Sequence, residues 1–118
     1  MPNTMLPRFA SYRPAQGGHA PGDLRDALLE VVENLRSWRR GDPEPSAEVR
    51  GRALPLSALC GLLWNCSDII ARIDGDLIAE FLEMQGWDER EAAGASVTYA
   101  RAARALRIVF ARPAAQSA

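Results

Sequence analysis

Between Leu24 and Arg40 apolar side chains recur every three or four residues. At 100° per residue, Leu24, Ala27, Leu28, Val31, Val32, Leu35 and Trp38 share one face, and Asp26, Glu30, Glu33, Arg36, Ser37 and Arg40 share the other. The spacing predicts an amphipathic helix over about 24–40, capped by Asp23 and stopped by Gly41 and Pro43. Acids early and arginines late suit its dipole. A second helix is predicted over 58–72, with Ser57 as its cap. Ala58, Leu59, Leu62, Leu63, Cys66, Ile69, Ile70 and Ile73 give it one broad apolar face. Cys60, Trp64 and Ala71 make a third side apolar too, leaving Asn65, Asp68 and Arg72 as a narrow polar strip. A helix apolar on two sides belongs in the middle of its bundle. A third helix over 77–85 buries Leu77, Ile78, Phe81, Leu82 and Met84 and exposes Glu80 and Glu83. Asp74-Gly75-Asp76 precedes it and Gly86 ends it. A fourth over 97–111 turns Tyr99, Ala102, Ala103, Leu106, Val109 and Phe110 inward, carries Arg101, Arg104 and Arg107 outside, and stops at Pro113.

The rest punctuates these helices. Residues 41–56 form a connector, stiff at Asp42-Pro43-Glu44-Pro45. Glu48 to Leu54 permits a short extended piece, with nothing to supply a partner strand. Trp87 to Ala95 reads as a second connector, or one short turn with Asp88 and Glu91 as a capping box. Residues 1–22 hold Pro2, Pro7, Pro14 and Pro21 with Gly17, Gly18 and Gly22, so a disordered arm is expected there. Residues 113–118 read as a frayed tail. The expected fold is all-α: a compact bundle of about four helices in one domain, 23–112.

Charge changes this picture. Asp74, Asp76, Glu80, Glu83, Asp88, Glu89 and Glu91 stand against Arg90, and Arg101, Arg104, Arg107 and Arg112 follow with no acid, although the chain's net charge is only −1. The simplest explanation lays the acidic third helix beside the basic fourth, where each exposed pair is worth only ~0–1 kcal/mol. The alternatives turn one strip toward a partner: acids toward a basic protein, or Arg101, Arg104 and Arg107 toward phosphate or an acidic partner. A helix-turn-helix reading fits poorly. The helix after the tight turn at Asp74 to Asp76 carries Glu80 and Glu83, which phosphate repels. Every basic residue is arginine, which a bias in genome composition explains without any mechanism.

Candidate chemistry is thin. Cys60 and Cys66 lie about 9 Å apart along a helix axis, beyond disulfide reach. Both are expected to be buried and reduced. His19, the one histidine, sits in the arm and is expected to be solvated. Asp68, Asp74 and Asp76 read as capping and turn residues. No catalytic, metal, nucleotide or cofactor motif stands out. Trp38 and Trp64 are expected in the core, and Trp87, beside a helix stop and among acids, is the best candidate for an exposed anchor. No secretory signal or membrane-spanning run is present, so a cytoplasmic setting is expected.

The run Leu63-Trp64-Asn65-Cys66-Ser67-Asp68, followed by Thr98-Tyr99-Ala100-Arg101-Ala102-Ala103-Arg104, resembles short uncharacterised bacterial proteins over roughly residues 54 to 107. Those place Gly-Ser directly before Thr-Tyr, whereas Gly94-Ala95-Ser96-Val97 precedes it here. The resemblance carries no activity. It implies a fixed job for Asn65 and Asp68, such as a buried polar tie from the second helix to Thr98-Tyr99. Together these readings point to a small non-catalytic regulator acting by protein contact through Trp87, Glu80, Glu83, Asp88 and the outer side of the second helix. A homodimer through complementary strips is one version of it. Nucleic-acid binding through the arginine face is the alternative. A phage or mobile-element inhibitor of a host protein would share these features.

Overall fold

A computed structural model describes residues 21–66 and 73–112. The expected loose arm, the frayed tail and the far half of the second helix fall largely on residues 1–20, 113–118 and 67–72, which lie outside the described residues, as do His19 and Asp68. Among the described residues, five α-helices and one β-hairpin follow in order: α1 (Pro21–Glu33), β1 (Ser46–Val49), β2 (Arg52–Pro55), α2 (Leu56–Trp64), α3 (Gly75–Met84), α4 (Glu89–Ala95) and α5 (Tyr99–Ala111). The fold is therefore mostly helical but not all-α.

α1 buries the predicted face, with Leu24, Leu28, Val31, Val32 and Leu35 out of water. It opens one turn earlier than expected, so Asp23 sits inside the first turn rather than capping it. It also ends earlier. A 3₁₀ turn over Asn34–Ser37 tightens the chain and Trp38 is extended. Ser37 Oγ donates to the Asn34 carbonyl at 3.2 Å, a local bond that competes with continued helix. Trp38 then stands edge-on to Phe81 of α3 and Phe110 of α5, with centroids 5.4 and 5.3 Å away. Its Nε1 donates to the Pro43 carbonyl.

The expected connector at 41–56 contains the hairpin. Ala47 pairs with Leu54 and Val49 with Arg52 in antiparallel register. Ala47, Val49 and Leu54 are buried on one face while Ser46, Glu48 and Ala53 lie on the other; Arg52, opposite Val49, is exposed at the turn end. The turn is Arg50-Gly51, both at positive φ (51° and 82°), as a two-residue type I′ turn demands. The extended piece over 48–54 thus supplies its own partner strand by folding back at Gly51.

The hairpin also positions α2. Its strands close against the start of the helix, so Leu56 N–H donates to the Pro45 carbonyl at 2.9 Å. Ser57 N–H donates to Glu44 Oε2 at 2.8 Å. The cap comes from the connector, and Ser57, the expected cap, is buried inside the first turn. α2 packs between α1 and α5, its most extensive neighbours, which is the central place predicted for it. Leu56, Leu59, Cys60 and Leu63 are fully buried there. Gly61 lies in its interior, and a Cβ there would meet only Arg107 Nη2, at an ordinary 3.6 Å. Gly61→Ala should therefore raise the unfolding free energy by about 0.5–1 kcal/mol through helix propensity, read by urea unfolding.

Asp74 caps α3 by accepting from Leu77 N–H at 3.1 Å. Leu77, Ile78, Phe81 and Leu82 are buried as predicted, but Met84 is 66% exposed, since it sits on the last turn beyond the core. The stretch after Trp87, read as a connector or one short capped turn, is the helix α4; Asp88 caps it as that second reading had it, its Oδ1 accepting from Glu91 N–H at 2.8 Å. Thr98 Oγ1 caps α5, accepting from Arg101 N–H. Ala102, Ala103, Ala105, Leu106 and Val109 of α5 are buried; Tyr99 and Phe110 are half-buried against the core. Among the described residues no helix is long and apolar enough to cross a membrane.

Candidate functional site

Two tryptophans exchange their expected places. Trp87 is half-buried against the core. The reason is the stop after α3. Gly86 takes φ 98°, its N–H donates to the Glu83 carbonyl, and Trp87 N–H reaches back to the Leu82 carbonyl. This Schellman arrangement folds the residue after the glycine over the last turn, so Trp87 packs inward rather than projecting as an anchor. Trp64 is the exposed one, at 51%. The segment Leu56–Trp64 carries no charged side chain, so its outer side, with half-buried Ala58, Gly61 and Leu62, is apolar. Arg107 of α5 borders this side through its approach to Gly61.

Cys60 lies in the second turn of α2, beyond the first turn where the helix dipole would favour a thiolate. Its surroundings favour the thiol. Complete burial and, secondly, the nearby Glu44 carboxylate push its thiol up to about 12. The acid that caps α2 thus adds to the burial that holds Cys60 protonated. Cys66 is buried as well, and neither forms a disulfide. The Tyr99 hydroxyl is raised too, by burial first and by Cys60 second, with Arg25 opposing. Its oxygen is buried without a hydrogen-bond partner among the described residues, as is Trp87 Nε1. Among the described residues no cluster of three or more His, Cys, Asp or Glu side chains is arranged to hold a metal ion.

Glu80 and Glu83 are exposed on α3, and exposed Asp88 is occupied in capping α4. Arg101, Arg104 and Arg107 are exposed on α5. The expected pairing of these strips inside one molecule is not what the fold makes. α3 meets α5 sparingly, with Phe81 against Phe110 at 5.9 Å, and none of the three arginines forms an ion pair with a described acid. Asn65 is exposed at the end of α2 and is not a buried tie to Thr98. The sequence reading missed one further feature, an open cleft of about 320 Å³ between α1 and the hairpin. Asp23, Asp26, Glu30, Glu48 and Arg50 line it, and Arg50 Nε meets Asp23 at 3.2 Å across it. Only the hairpin brings these residues together, so no spacing in the chain announces them.

The chain matches no known family profile, no curated protein and no solved structure.

Proposed function

We propose that this chain is a small, non-catalytic, cytoplasmic module that works by binding another protein through the outer side of α2. One observation carries the proposal: Trp64 is half exposed on an uncharged helix at the centre of the fold. A tryptophan is the side chain with most to gain from a protein partner, because it buries a large area at a low cost in conformational entropy. Arg107 at the border adds a charge that a partner's carboxylate would meet at the rim. The protonated, buried state of Cys60 argues against thiol chemistry as the alternative.

The test compares capture from the protein's own cell extract by the wild type, Trp64→Ala, and Leu29→Ala, a control at another exposed apolar position on α1. A partner held equally by the wild type and Leu29→Ala, and at least ~10-fold less by Trp64→Ala, is the expected outcome. Equal capture by all three removes the proposal. The second reading, contact with nucleic acid, is favoured by Arg101, Arg104 and Arg107, exposed and without an ion pair among the described residues.

A further inference from the structure

The two charged strips have partners nowhere among the described residues of one molecule, and they match each other. Asp76, Glu80 and Glu83 are exposed along α3, with Met84 one turn beyond Glu80. Arg101, Arg104 and Arg107 are exposed along α5, with Ile108 one turn beyond Arg104 and 45% exposed. At 1.5 Å per residue each row runs about 10 Å along its helix. Each therefore offers three like charges over the same length, with one apolar side chain beside them. α3 and α5 are neighbours through Phe81 and Phe110, so one molecule presents both rows on adjacent helices. A net charge of −1 leaves no global repulsion between two copies.

We propose that the occupant of these strips is a second copy of this chain: the acidic row of α3 lies on the basic row of α5 of the other copy, and the reciprocal contact closes a two-fold dimer. An isologous pairing of this kind satisfies both rows at once, which neither a basic protein nor a nucleic acid does. The inference shares Arg107 with the α2 reading, since that residue borders both surfaces. Trp64 belongs to neither charged row, so Trp64→Ala should leave self-association unchanged. The charge reversals at Arg101, Arg104, Glu80 and Glu83 leave the outer side of α2 intact, so either idea can fail without the other.

The experiment is sedimentation velocity on the full chain at ~50 mM and ~0.5 M salt, where screening lengths differ several-fold. The wild type should dimerise at low salt and weaken at least ~10-fold at high salt. Arg101→Glu with Arg104→Glu makes both rows acidic, and Glu80→Arg with Glu83→Arg makes both basic. Each variant alone should be monomeric, and an equimolar mixture should dimerise again. Circular dichroism confirms that each remains helical; should one not, the wild-type salt series still decides. A wild type that stays monomeric at ~100 μM in low salt, where weak charge pairing is strongest, overturns the proposal. So does a dimer indifferent to both charge reversals, or a mixture of folded variants that fails to associate. Binding of duplex DNA by a wild type that is monomeric throughout gives the arginines to phosphate and also overturns it.

Discussion

Leu59→Ala should lower the unfolding free energy by about 2–5 kcal/mol, the range for deleting a fully buried leucine and leaving a cavity. Leu59 has no exposed surface and lies on α2, packed between α1 and α5. Neither neighbour can follow a shrinking side chain without losing its own contacts, because α1 packs against β1 of the hairpin and α5 is joined to α3 through the Trp38, Phe81 and Phe110 rings. For a domain of this size total stability is of order 5–15 kcal/mol, so the loss is a large share, and the melting temperature should drop by roughly 10–30 °C. Leu62→Ala, on the half-buried side of the same helix, should cost about 1 kcal/mol or less. Urea unfolding of both variants separates a central α2 from a peripheral one. Equal losses at the two positions would place the core elsewhere.

The second large effect is alkaline. Cys60 has a thiol pushed from 9.0 up to about 12. The folded state therefore holds a proton that the unfolded chain releases. Stability owed to this group is fully present below pH 9 and is lost as pH rises from 9 toward 12, at no more than ~1.4 kcal/mol per pH unit. The whole window is worth on the order of 4 kcal/mol. The raised Tyr99 hydroxyl acts in the same direction. This chain suits the measurement, because its basic residues are all arginine and no lysine titrates in that window. Urea midpoints at pH 7, 9 and 10.5 should fall steeply for the wild type over the last step and clearly less for Cys60→Ala. Parallel curves for the two proteins would show that Cys60 is not the group being held neutral. The same burial should make Cys60 react with an alkylating reagent only as fast as the protein opens.

Much of the fold was legible where one face was apolar and the other charged. α1, α3 and α5 carry that contrast, and the period of 3.6 selects most of their buried residues, exposed Met84 and buried Ala105 being the exceptions. The same rule failed on α2 because Leu56–Trp64 has no charged position to mark the outside. Trp64 was therefore assigned inward with its neighbours, although the packing of α1 and α5 leaves it out. Trp87 failed for a different reason. Gly86 was read as a stop, but a stop built as a Schellman turn also directs the residue that follows. The hairpin was half seen. An Asn-Gly or Asp-Gly pair would have announced its turn, whereas Arg50-Gly51 places an arginine at positive φ and gives a weak signal. The α2 cap was missed because Glu44 acts across the hairpin, thirteen residues from Ser57.

The charge rows show the limit of composition as a guide. Acids followed by arginines suggested two helices attracting one another, and the sequence distance between them is short. The aromatic cluster decides otherwise. Trp38, Phe81 and Phe110 join the inner faces of α3 and α5, which leaves the charged faces turned to solvent. Packing area in the core outweighs exposed ion pairs worth ~0–1 kcal/mol each, so the charges go where the rings leave them.

We propose that this protein acts by surface contact through the outer side of α2. The most direct measurement places the photoreactive residue p-benzoylphenylalanine at position 64, and in a second protein at position 29, and irradiates both in the native cell. A discrete protein adduct from position 64 that is absent from position 29 is the predicted result. No adduct from position 64, or the same adducts from both positions, would contradict the account.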